Sequence, residues 1–214
     1  MSDLTAIDVL VNPDDNTLQR ARAWNARMRE SVPDGFALDA SHQPHITTLQ
    51  RYVRTGELEA VYDAIGDTLA ATDSSALSYQ AVAIKHADFG VPGQGLAVIL
   101  IEPSPQVYDF QAALLAAVAP FAESGGTAAA FVTDPGEDIS QSTRDWVDGY
   151  VPHQIGPEKY TAHVTVGFAT FDDLKAIESE PFDAFDVHPA AVAVYQLGNS
   201  GAARKLLKTW PIPN

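Results

Sequence analysis

The triplet His45-Ile46-Thr47 recurs 118 residues later as His163-Val164-Thr165, each time inside a run rich in β-branched and apolar residues. Side chains alternate between the faces of a strand, so a histidine and the threonine two positions on leave the backbone together. A fold that turns two such strands towards each other gathers two imidazoles and two hydroxyls around one phosphate, a complete acid-base set without a metal. Strict alternation puts His45, Thr47, Leu49 and Arg51 on the reacting face of the first strand and Thr161, His163, Thr165 and Gly167 on that of the second. Ile46, Val164, Val166 and Phe168 are then expected on the opposite face, under helices. Thr48 is an oddly polar member of that buried side.

The pattern around the triplets is mixed. Alternation marks a strand over 5–11, and Asn12-Pro13-Asp14-Asp15-Asn16 punctuates it before a helix from Thr17 to Glu30. Strands are expected at Phe36–Leu38 and His45–Val53. Apolar residues at Leu58, Val61, Tyr62, Ile65 and Leu69 recur at spacings of three and four, which marks an amphipathic helix over 57–71. Two strands, 77–86 and 95–101, flank a Gly-rich hairpin turn, and an Ala- and Leu-rich helix covers 107–121 behind Ser104-Pro105. A second triplet strand over 160–169, a short helix over 172–178 and strands at 190–198 and 203–210 complete the reading. Hairpin turns and half-buried alternation point to antiparallel pairing, hence an α+β chain. Residues 122–160 are expected as a long loop or flap carrying one short helix near Ile139–Asp148.

Charge narrows the partners. The chain has 28 acidic and 13 basic residues, a net −15. Binding along a phosphate backbone rests on many Lys and Arg contacts, so long duplex nucleic acid is disfavoured while a single phosphate in a local pocket is not. Cysteine is absent, which removes disulfides, thiol nucleophiles and Cys-ligated metals. No apolar run reaches the ~20 residues of a membrane span, and the first residues lack a signal-peptide pattern, so a cytoplasmic protein is expected.

The phrases Pro44-His45-Ile46-Thr47 and His163-Val164-Thr165-Val166-Gly167, with Val194-Tyr195-Gln196-Leu197-Gly198-Asn199 followed by Gly201, resemble the two-histidine (2H) phosphoesterase superfamily, which includes 2′-5′ RNA ligase-like proteins and 2′,3′-cyclic phosphodiesterases. Ala162 stands where many relatives carry the proline present here as Pro44. The resemblance covers most of the chain. It implies one bilobal domain over 1–214, two pseudo-symmetric lobes of antiparallel sheet with helices outside, and a central cleft receiving one triplet from each lobe.

An imidazole titrates near pH 6.5, so one copy can be neutral and the other protonated. That suits a 2′,3′-cyclic phosphate: one histidine takes a proton from water, the other gives one to the departing ribose oxygen, and Thr47 and Thr165 hold the phosphoryl oxygens. With a ribose hydroxyl in place of water, the same groups form a 2′-5′ bond. Expected partners are a small nucleotide, a cyclic phosphate or an RNA terminus, bound by a monomer with no cofactor and no metal. Arg51 is a candidate phosphate contact, Tyr160 and Lys159 candidate nucleotide contacts, and Trp146 a candidate stacking residue. Two readings compete: a nucleotide-binding module that does no chemistry, and a metal hydrolase using histidines and carboxylates. His42 with Asp39 supplies only two ligands for the latter.

Overall fold

The computed structural model describes residues 3–39 and 42–212. In chain order the elements are β1 (Leu4–Pro13), α1 (Asp15–Ser31), β2 (Ile46–Arg54), α2 (Leu58–Ala70), β3 (Tyr79–Ala87), β4 (Gln94–Pro103), α3 (Pro105–Val118), β5 (Ala122–Glu123), α4 (Gln141–Gln154), β6 (His163–Thr170), α5 (Phe171–Glu178), β7 (Phe185–Val187), β8 (Pro189–Leu197) and β9 (Ala203–Pro211), with short 3₁₀ turns between some of them. The helix starts follow from local chemistry. The Asp14 carboxylate caps α1 by accepting from Thr17 N at 2.8 Å, Ser140 Oγ caps α4 through Thr143 N, and Pro105 sits in the first turn of α3.

Two antiparallel sheets form, one of five strands in the order β5-β2-β1-β8-β9 and one of four in the order β6-β4-β3-β7. The orders of the shared strands, β2-β1-β8 and β6-β4-β3, match. Each half of the chain builds a central strand, a helix and a triplet strand (β1-α1-β2 and β4-α3-β6), then sends its next long strand into the other sheet. The α+β reading with two pseudo-symmetric lobes therefore holds.

The helices cross over as well: α1 packs on β6, while α3 packs on β2. The main core lies on the helix-covered faces. Ile7, Val9, Val11, Ile46 and Leu49 of the first sheet join Ala97, Ile99, Val164 and Val166 of the second in one fully buried cluster. The opposite face of the first sheet is covered by residues 130–147, where Phe131, Ile139 and Val147 pack on Ala6, Tyr52 and Leu197. Arg204 of β9 pairs with Asp134 at 2.7 Å and tethers that segment. Among the described residues, no helix is long and apolar enough to cross a membrane.

Three local expectations change. Phe36–Leu38 is not a strand, because its backbone pairs with a side chain: Asn25 Nδ2 donates to Phe36 O at 3.0 Å and Asn25 Oδ1 accepts from Leu38 N at 3.1 Å. The helix in the 122–160 segment runs past Asp148 to Gln154 and contains Pro152 in its last turn. Strand β7, which sequence pattern did not indicate, pairs with the start of β3.

Candidate active site

Each triplet strand is followed by the same irregularity. Against β1, Leu10 pairs with Thr47 and Val9 with Leu49, so Thr48 is an extra residue. Against β4, Val98 pairs with Thr165 and Ala97 with Gly167, so Val166 is extra. These are β-bulges, and one extra residue reverses the face of everything beyond it. Leu49 and Arg51, expected beside His45, therefore face the helices opposite Val9 and Ile7. Gly167 likewise leaves the histidine face, and Phe168, expected under the helices, comes onto it opposite Leu96. Thr48 is the bulged residue, and its buried Oγ1 has no hydrogen-bond partner.

A buried amide holds each bulge. Asn25 of α1 donates to Val166 O at 2.8 Å, and Gln111 of α3 donates to Thr48 O at 3.0 Å. Both amides also hold the loop entering the other triplet strand. Asn25 binds Phe36 O and Leu38 N ahead of β2, and Gln111 binds Gln154 O and Gly156 N ahead of β6. Gly167 adopts φ +134°, and a Cβ there would stand 2.9 Å from Asn25 Nδ2, so glycine is what lets α1 close on the bulge.

The histidines themselves are set alike. His45 Nδ1 lies 2.8 Å from Gln43 O and His163 Nδ1 lies 2.8 Å from Thr161 O. A carbonyl only accepts, so Nδ1 carries the proton in each ring and Nε2 is left for chemistry. Burial holds His163 below its ordinary 6.5, and the charge on His45 adds to that, against the opposing pull of the Thr161 carbonyl. His45 and Thr47 thus stand at the start of β2, and His163 and Thr165 at the start of β6, two strands of different sheets that come into contact.

The neighbours differ. Asp8, at the centre of β1, is fully buried and lies 3.8 Å from His45 Nε2 through Oδ2. That oxygen also accepts from Thr47 Oγ1 at 2.9 Å and Gln50 Nε2 at 3.2 Å, while Oδ1 has no partner. Burial pushes the carboxyl above its ordinary 3.8, against the pull of His45, Thr47 and Gln50. Sequence pattern missed this residue, although an aspartate between Ile7 and Val9 in an apolar strand is itself a signal. Thr165 Oγ1 makes no hydrogen bond among the described residues, so its proton is available to a ligand.

The remaining candidates have other surroundings. Tyr160 is buried, and its hydroxyl donates to Thr47 O at 2.7 Å, which makes it a strut for the first triplet with its hydroxyl already engaged. Lys159 is exposed. Trp146 is 45% exposed on α4, edge-on to Tyr150 at 6.2 Å. His42 pairs with Asp39 at 3.7 Å, and no group of three metal-ligating side chains forms among the described residues.

No protein-family model matches the sequence, and no curated protein matches it. Solved structures do. Escherichia coli LigT complexed with 3′-AMP superposes with a TM-score of 0.51 at 12% identity over 100% of both chains. LigT in its apo form gives 0.47 at 11% identity over 98% of each chain, and Kluyveromyces marxianus Usb1 gives 0.43 at 8% over 99% of each. The chain shares the fold of LigT.

Proposed function

We propose that this protein is a metal-independent phosphoesterase that opens 2′,3′-cyclic phosphates on small nucleotides or RNA ends. The observation that carries the reading is the pair of imidazoles on the contacting strands β2 and β6, each with Nδ1 fixed by the carbonyl two residues before it, so that Nε2 makes no hydrogen bond within the described residues. The environments divide the roles. His163, which burial favours as the neutral ring, takes the proton from water as the oxygen attacks phosphorus. His45, whose Nε2 proton lies at ion-pair distance from Asp8, gives that proton to the ribose oxygen as its bond to phosphorus breaks. The turnover leaves His163 protonated and His45 neutral, and exchange with solvent resets both. Thr165 donates to a phosphoryl oxygen throughout, while Thr47 is shared with Asp8. With a ribose hydroxyl as nucleophile the same steps run towards a 2′-5′ bond.

A LigT structure of the same fold is complexed with 3′-AMP, the kind of monoester that opening a cyclic phosphate yields, which supports a small nucleotide as ligand. Net charge −15 argues against long nucleic acid. The test is turnover of 2′,3′-cyclic nucleotides and 2′-5′-linked dinucleotides in the presence of chelator. Conversion of the cyclic phosphate to a monoester is expected. Activity that appears only with an added divalent ion identifies a metal hydrolase, and tight binding with no turnover identifies a nucleotide-binding module.

A further inference from the structure

A cavity of about 390 Å³ opens at the end of the second sheet, where β4 stops and β6 begins. The residues around it are those that hold the two triplets. Leu100 is the cross-strand partner of His163, Thr161 O accepts from His163 Nδ1 at 2.8 Å, and the Tyr160 hydroxyl donates to Thr47 O at 2.7 Å. Tyr108 of α3 forms a further wall, edge-on to Tyr160 with ring centroids 6.3 Å apart.

One charged side chain lines this cavity. Glu102, near the end of β4, is exposed, and its carboxylate has neither an ion pair nor a hydrogen bond among the described residues. Alternation along β4 puts Glu102 on the face of Leu100, which is also the face of His163 because the two are directly opposed. Two residues along one strand and one strand across leave roughly 8 Å between the α-carbons of Glu102 and His163.

The chemistry of the ligand fits that placement. A 2′,3′-cyclic phosphate has both of those ribose oxygens bonded to phosphorus, so such a nucleoside keeps one sugar hydroxyl, at the 5′ position. That hydroxyl lies one sugar ring from the phosphorus, a span that suits the separation of histidine and carboxylate. An ionised carboxylate accepts hydrogen bonds and donates none, so it binds a hydroxyl and repels a phosphate standing in the same place.

We propose that this cavity seats the 5′ end of the substrate and that Glu102 determines specificity there, accepting a 5′-hydroxyl and rejecting a 5′-phosphate, an inference that rests on the phosphoesterase reading above. The substrate is then a nucleoside 2′,3′-cyclic phosphate with a free 5′-hydroxyl. An RNA end is a poor one, because its last nucleoside carries a phosphodiester at that position. Discrimination here works by repulsion of the wrong ligand as much as by attraction of the right one.

The experiment compares kcat/KM for adenosine 2′,3′-cyclic phosphate with that for its 5′-phosphorylated form, in chelator and at low salt. Wild type is expected to prefer the 5′-hydroxyl about tenfold or more, by a ratio that shrinks as salt screens the repulsion. Glu102→Gln should lose about tenfold of the ratio, chiefly through KM, and Glu102→Lys should reverse the preference. Both variants are expected to fold, since Glu102 is exposed, and circular dichroism checks it. No preference in wild type, or a preference unchanged in either folded variant, overturns the seat even though both substrates turn over. If wild type turns over neither, the phosphoesterase reading fails, and calorimetric titration judges the seat alone. Adenosine 3′-monophosphate binding about tenfold more tightly than adenosine 3′,5′-bisphosphate in wild type, but not in Glu102→Gln, supports it. Equal or absent binding in wild type, or the same difference in the variant, overturns it.

Discussion

The two triplet strands share a backbone plan and differ in company. Both carry a bulge directly after the threonine, both bulges are held by a buried amide from a helix of the other half, and both histidines give Nδ1 to the carbonyl two residues upstream. The first faces a buried carboxylate and lies in the sheet covered by residues 130–147. The second has no acidic partner on its ring among the described residues, and its strand continues to Phe168, edge-on to Phe36. Symmetry supplies two similarly held imidazoles, and in the proposed mechanism the departures from symmetry assign one as acid and the other as base.

The largest expected difference lies in the threonines. Thr165→Val removes a hydroxyl free to meet a phosphoryl oxygen, and should cost about 100-fold in kcat/KM, the usual order for one oxyanion donor. Thr47→Val should cost only about tenfold, because Asp8 Oδ2 already holds the Thr47 proton at 2.9 Å. Equal losses in steady-state kinetics would erase the distinction between the two strands.

Asp8→Asn tests the acid side. Loss of the charge beside His45 Nε2 should slow turnover by about tenfold, or ~1.4 kcal/mol of barrier. Stability should move the other way. The carboxyl is raised above 3.8 by burial, so the native state holds its proton more tightly than the unfolded chain; this contribution is present below 3.8 and lost as pH rises through the raised value. The amide escapes that loss, so the variant should melt at a higher temperature than wild type at pH 8, with the difference shrinking at pH 4. A lower melting temperature at both pH values would show that the charge supports the fold.

In the proposed mechanism His163 gives the acid limb of the pH profile. Its ring is held below 6.5, so its contribution to stability is complete above that pH and is lost as pH falls towards its folded value. Acting as base, it keeps kcat/KM on its plateau to below pH 6.5 before the rate declines. An acid limb centred above 6.5 would assign the base elsewhere.

The smallest effects on rate belong to the braces. Asn25→Leu and Gln111→Leu each strand buried carbonyl and amide groups, costing on the order of 3 kcal/mol, and the two denaturation midpoints should fall by similar amounts if the halves are equivalent. Gly167→Ala should fall with Asn25→Leu, through the 2.9 Å approach to the same amide. A brittle Asn25 and a tolerant Gln111 would show that one half folds around the other.

Much of this was legible in the residues. The histidine strands, the major helices and the antiparallel class follow from periodicity and breakers, signals local to a few turns of chain. What alternation could not supply was the parity of Leu49, Arg51, Gly167 and Phe168, because a bulge is decided by the partner strand's register. Side-chain type gave no sign of it, since one bulged residue is the polar Thr48 and the other the apolar Val166. Asn25 and Gln111 look like ordinary helix polar residues in sequence; their roles depend on carbonyls 141 and 63 positions away. Phe36–Leu38 reads as a strand because its residues suit one, and a side chain took the place of the neighbouring strand.

The central claim, that His45 and His163 act as one acid-base unit, is tested most directly by single-turnover hydrolysis of a nucleoside 2′,3′-cyclic phosphate in chelator. His45→Ala, His163→Ala and the double variant are compared with wild type, folding being checked by circular dichroism. Wild type should retain full activity, each single variant should lose roughly 10²–10⁴-fold, and the double variant should be hardly slower than either single one. Loss of wild-type activity in chelator, near-normal turnover in a single variant, or losses that multiply in the double variant would contradict it.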